Sequence, residues 1–84
     1  MKTTSQFIYE FLKKKKTWQW GGVIEDHLRA VNGSKGETTS RRLRELAKDK
    51  IIDHRYGDVK GKLCVQYRIA KKKYIYQNRH WIKK

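Results

Sequence analysis

The sequence of 84 residues predicts an α+β domain of three helices and a small antiparallel sheet, with a basic C-terminal extension. Two observations predict it. Three stretches in the first fifty residues repeat apolar side chains at the helical period, and two later stretches alternate at the strand period around a glycine-containing turn. A chain of this length buries only about 60–65% of its unfolded surface, which leaves room for one core. The domain is assigned to residues 1–70 and the extension to 71–84.

The first helix is read from "TTSQFIYEFLKKKK", where Phe7, Ile8, Phe11 and Leu12 form one stripe. Thr3 and Gln6 have capping-box spacing, and Lys13 to Lys16 supply cations at the end where the helix dipole favours them. In "TWQW", Trp18 and Trp20 alternate with Thr17 and Gln19, the pattern of a short strand. Small domains need large apolar side chains, so both indoles are expected in the core. A second helix, Gly22 to Asn32, carries Ile24, Leu28 and Val31, and Asn32-Gly33 stops it.

The third helix, 34–49, has Ser34 and Glu37 at capping-box spacing. Thr39, Leu43, Leu46 and Ala47 face inward; Glu37, Thr38, Arg41, Arg44, Glu45 and Lys48 lie opposite, with Arg42 on the flank. The helix should end near Lys50. "IIDHRY" and "LCVQYRI" then read as two strands, with "GDVKGK" as the turn between them. Pairing Tyr56 with Leu63 puts Ile52, His54 and Tyr56 on one face with Leu63, Val65 and Tyr67. That face is expected to cover the helices and the other to be solvated.

The formal charge is +14, from 22 Lys and Arg against 8 Asp and Glu. Such a balance favours a polyanionic partner: nucleic acid first, an anionic membrane surface second. The last fifteen residues carry six Lys or Arg and no acid, and are the most basic segment. Cys64 stands alone, so there is no disulfide framework. The N-terminal residues have the wrong order for an export signal, and no apolar run approaches the ~18 residues of a span. The expected setting is cytoplasmic, with no membrane partner.

The order of elements, with "SKGETTSRRLRELAKDKIIDHR" at its centre, resembles the winged helix-turn-helix family of DNA-binding domains over residues 4 to 69. The resemblance implies that the third helix lies in a major groove and that the hairpin is a wing against backbone or minor groove. Thr38, Ser40 and Arg41 match polar and basic positions near the start of the family's recognition helix, and Leu43 and Leu46 match its core positions. Lys60, Gly61 and Lys62 match the wing tip. Thr39 stands where an aliphatic is usual, and Lys50 where a glycine is common.

The implied partner is double-stranded DNA, with Lys35, Thr38, Ser40, Arg41 and Arg44 at the groove and Arg42, Lys60, Lys62, Lys71, Lys72 and Lys73 on phosphate. A small transcriptional regulator or architectural factor fits that partner, and its compactness would suit a virus or mobile element. A plainer reading makes Glu37, Arg41 and Glu45 an exposed i, i+4 ion-pair ladder and Lys60 and Lys62 a solubilising turn. A protein-interaction module or an RNA-binding accessory protein also stays open. The aromatic, basic tail suits packing on the domain, homodimerisation or nucleic-acid contact.

No enzyme is expected. His27, His54 and His80 lie on three separate elements without metal-ligand spacing, and Cys64 and His54 fall on opposite faces of the hairpin. "NGSKGE" lacks the ending of a phosphate-binding loop. No cofactor, metal or small-molecule ligand is implied.

Overall fold

The computed structural model describes residues 2–70, 74–77 and 80–83. Helices α1 (Thr4–Lys15), α2 (Gly21–Asn32) and α3 (Gly36–Lys48) precede strands β2 (Ile52–Val59) and β3 (Lys62–Ile69), with the short strand β1 (Gln19–Trp20) between α1 and α2. The sheet is antiparallel in the order β1-β3-β2, and β4 (Tyr74–Gln77) pairs with β5 (His80–Lys83) in a separate two-stranded sheet. The domain is thus α+β, three helices on a small antiparallel sheet, a winged-helix-like arrangement.

The local signals explain most boundaries. At α1 the capping box forms: the Gln6 amide donates to Thr3 Oγ1 at 3.2 Å, and the Thr3 amide donates to Gln6 Oε1 at 2.9 Å. α2 stops at Gly33, whose left-handed φ of 68° lets its amide donate to the Arg29 carbonyl. The three helical stripes meet in one core of Ile8, Phe11, Leu12, Ile24, Leu28, Leu43 and Leu46, closed by Ile51, Ile52 and Tyr67 from the sheet side. Burying each such aliphatic contributes roughly 1.5–3 kcal/mol. Thr39 is buried with no exposed surface, and its hydroxyl has no hydrogen-bond partner among the described residues.

Several expectations need correction. α3 begins at Gly36 behind Lys35, and no side chain caps it. Ser34 is engaged elsewhere: its Oγ accepts from Asn32 Nδ2 at 2.6 Å and sits 3.3 Å from Thr4 Oγ1, tying the loop to α1. Val31 is 49% exposed, because the stripe of α2 outruns the helices that cover it. At the far end of α3, Lys50 takes a left-handed φ of 61°, and the Ile51 amide reaches back to the Leu46 carbonyl.

The hairpin pairs Tyr56 with Val65 and Asp58 with Leu63, two residues away from the expected register. A shift of two preserves both faces, so the inner set Ile52, His54, Tyr56, Leu63, Val65 and Tyr67 stands. The turn shrinks to Lys60-Gly61, with φ of 52° and 80°, the twist that suits a two-residue hairpin. Gly57 and Asp58 therefore belong to β2. Strands of eight residues also extend past the helices, which leaves Tyr56 62% and Leu63 73% exposed on the face that was to be covered.

Neither Trp18 nor Trp20 enters the core. Trp20 pairs with Gln66, and that register turns its indole to the face away from the helices, where a Cβ on Gly57 would stand 2.8 Å from Cη2 of its ring. Gly57 is what lets the ring lie there. The tail packs on the domain: the Tyr9 and Trp81 rings lie 4.9 Å apart, and the Tyr74 amide donates to the Tyr9 hydroxyl at 2.9 Å. Among the described residues, no helix is long and apolar enough to cross a membrane.

Candidate nucleic-acid interface

The face of α3 opposite Thr39, Leu43 and Leu46 is set by the helical period, and Arg41, Arg44 and Lys48 stand exposed on it. Its ion pairing differs from the simple ladder. Glu45 is held by Arg42, whose Nη1 donates to both carboxylate oxygens at 3.0 Å. Either spacing, i+3 or i+4, brings helix neighbours together, and here the flank arginine takes the acid. Arg41 and Arg44 form no ion pair among the described residues.

Two open grooves flank this face. One runs between Ser40, Arg44 and Lys48 of α3 and His54, Tyr56 and Tyr67 of the hairpin, about 430 Å³ in volume. Burial pushes the Tyr67 phenol above its ordinary 10.0, and the charge of Arg44 pulls the other way. The second groove gathers Glu25, Gly36, Glu37, Ser40, Arg41 and Arg44. Its two carboxylates beside two arginines temper the potential that a phosphate would meet there.

Arg41, Arg44 and Ser40 are thus brought together, with Thr38 half-buried one residue before Thr39 and Lys35 exposed ahead of the helix. Arg42 lies apart, occupied by Glu45. Lys60 and Lys62 are exposed at the end of the hairpin. Lys71, Lys72 and Lys73 lie outside the described residues.

Sequence reasoning passed over a second cationic cluster. Arg55 and Arg68 place their guanidiniums 4.3 and 4.4 Å from the centre of the Trp18 ring, on the outer face of the sheet. Strict alternation puts Arg55 and Arg68 on the face opposite Tyr56 and Tyr67, a signal present in the sequence once the indole is not assigned to the core. His54 and Tyr56, which complete the groove against α3, were assigned their face but no role.

His27 stacks on Phe11 with ring centres 4.2 Å apart. Among the described residues, no three His, Cys, Asp or Glu side chains gather as metal ligands. His54 pairs with Tyr67 and Cys64 with Gly57, which sets the two side chains on opposite faces of the hairpin. No protein-family model matches the sequence, and no curated protein or solved structure matches it either.

Proposed function

We propose that the chain is a winged-helix DNA-binding protein that seats α3 in the major groove of duplex DNA and lays the β2–β3 hairpin along the backbone or minor groove. The observation that carries this reading is the pair Arg41 and Arg44, exposed and without ion pairs among the described residues, beside a groove shared with the hairpin. An unpaired guanidinium fork can meet guanine O6 and N7 bidentately. Thr38, Ser40 and Lys35 supply shorter polar contacts at the start of the helix. Lys60, Lys62 and Lys71 to Lys73 serve phosphate, and Arg42 joins them by exchanging an exposed ion pair worth about 0–1 kcal/mol. A small transcriptional regulator or architectural factor is the matching role, and a charge of +14 supplies the long-range attraction.

One observation favours a second reading, a protein-interaction module: Tyr56 and Leu63 are large, exposed and on the same face of the hairpin. A salt titration of duplex affinity separates the two. DNA binding through several phosphates makes log K fall with log[salt] at about −0.9 per phosphate neutralised. Arg41→Ala should then cost about 1–3 kcal/mol on a preferred site and relax its sequence preference. No duplex binding at low salt would remove the DNA reading.

A further inference from the structure

The outer face of the sheet carries a group of side chains that the α3 interface does not use. Register places Asp53, Arg55, Gln66, Arg68 and Trp20 on this face, and Trp18 continues it beyond β1. Both guanidiniums stack on Trp18, Arg55 Nε donates to Gln66 Oε1 at 2.7 Å, and Arg68 reaches Asp53 only at 3.6 Å. Arg55 has no carboxylate partner among the described residues. A groove of about 730 Å³ at the edge of β2 joins Trp18, Asp53, Arg55 and Arg68 to Lys50, and to Lys48 and His54, which it shares with the α3 groove. Apart from the shared Lys48, three cations line it beside one acid, Asp53, among the described residues.

We propose that this face is a second duplex-binding surface, on which Arg55 and Arg68 clamp the phosphates of a separate DNA segment while α3 holds the first. The stacking supplies preorganisation: a guanidinium lying on an indole keeps its donor edge free, and less side-chain freedom is lost when a phosphate arrives. Duplex is favoured over single strand by the state of the aromatics. Single-strand platforms offer bare rings for bases to stack on, whereas Trp18 already carries two guanidiniums and Trp20 lies over Gly57. A separate segment follows from direction. α3 stands against the inner face, beside His54, Tyr56 and Tyr67, whereas Arg55 and Arg68 project with Trp18 from the opposite face, so a straight duplex seated on α3 leaves these two arginines to another segment, with Lys48 at the edge between the two surfaces.

The bridging of two duplexes rests on the α3 reading, and the experiment separates the two. Donor-labelled and acceptor-labelled duplexes are mixed with the full chain at low salt, and energy transfer between them is read beside the anisotropy of one duplex alone. Wild type should give transfer. The R55Q/R68Q variant should lose it at least about tenfold while single-duplex anisotropy persists, with the salt slope of total binding reduced by up to about 1.8. Circular dichroism checks the fold, and R55Q alone, which leaves Arg68 on Trp18, carries the test if the double variant does not fold. Transfer that survives in the variants, or wild type that binds one duplex and never bridges, overturns the proposal. Duplex binding that survives R41A/R44A and is abolished by R55Q/R68Q would retain the outer surface and dismiss α3 as the principal interface.

Discussion

Thr39→Val should stabilise the protein, although it removes a polar group from the helix that carries the proposed interface. Thr39 is fully buried on the inward face of α3 with Leu43 and Leu46, and its Oγ1 has no partner among the described residues. A buried hydroxyl left unsatisfied costs about 1–3 kcal/mol relative to its hydrated state. Valine replaces that oxygen by a methyl group with the same branching, so no cavity opens, and its helix propensity is close to that of threonine. The two backbone terms nearly cancel, and the expected gain is about 1–2 kcal/mol. For a domain of this size that raises the midpoint of thermal unfolding by roughly 4–8 °C per kcal/mol. Urea and thermal unfolding followed by circular dichroism measure it, and the urea m-value should not change. Thr39→Ser is the control: it keeps the hydroxyl, loses the methyl, and should destabilise by about 1 kcal/mol. The side chain faces the core, so duplex affinity should be unaltered. A destabilised Thr39→Val would refute the reasoning, because it would mean that the hydroxyl is hydrogen-bonded in the native state.

Gly57→Ala would drive a Cβ to 2.8 Å from Cη2 of Trp20, so the indole must move; a loss of about 1–3 kcal/mol and a red shift of tryptophan emission are expected. Lys50→Gly relieves a left-handed backbone in a β-carbon-bearing residue and should gain roughly 0.5–1 kcal/mol in urea unfolding, after the entropic cost of glycine in the unfolded chain is subtracted. Tyr67 has a raised pKa in the fold, so the unfolded chain ionises it first. The stability this contributes is complete below the ordinary value of 10.0 and is lost as pH rises through the folded value. Absorbance titration of tyrosinate should show Tyr67→Phe deleting a late-ionising phenol and flattening the loss of stability above that pH.

The helices and the arginine face of α3 were legible because a helical wheel needs only neighbouring residues. The two faces of the hairpin were legible for a related reason: the side-chain period of two survives a register error of two, so Tyr56 opposite Val65 instead of Leu63 changed no face. What stayed hidden depends on distant partners. Ser34 has the spacing of a cap, but Thr4, thirty residues earlier in the chain, offers its hydroxyl a competing position. The size of Trp18 argues for burial in the core. Its actual neighbours, Arg55 and Arg68, reach it only through strand pairing. The choice of Arg42 over Arg41 as the partner of Glu45 is a matter of rotamers, which spacing alone does not decide. The length of the strands was readable, but not that the helices would leave Tyr56 and Leu63 uncovered.

Tyr9 ties β4–β5 to α1, through its ring on Trp81 and its hydroxyl on the Tyr74 amide. A two-stranded ribbon such as β4–β5 is marginal in water by itself, so its order is thermodynamically coupled to its packing on the domain, to which Tyr9 contributes. The molecule should therefore open in two stages. β4–β5 exchanges its amides through a local, low-energy opening that leaves β1-β3-β2 intact, and α1 to α3 exchange only on global unfolding. Replacing Tyr9 by Phe keeps the ring and lets go of the amide; replacing it by Ala lets go of both. β4–β5 is in this sense a separately adjustable foldon, whose population can change while the surface of α3 is left as it was.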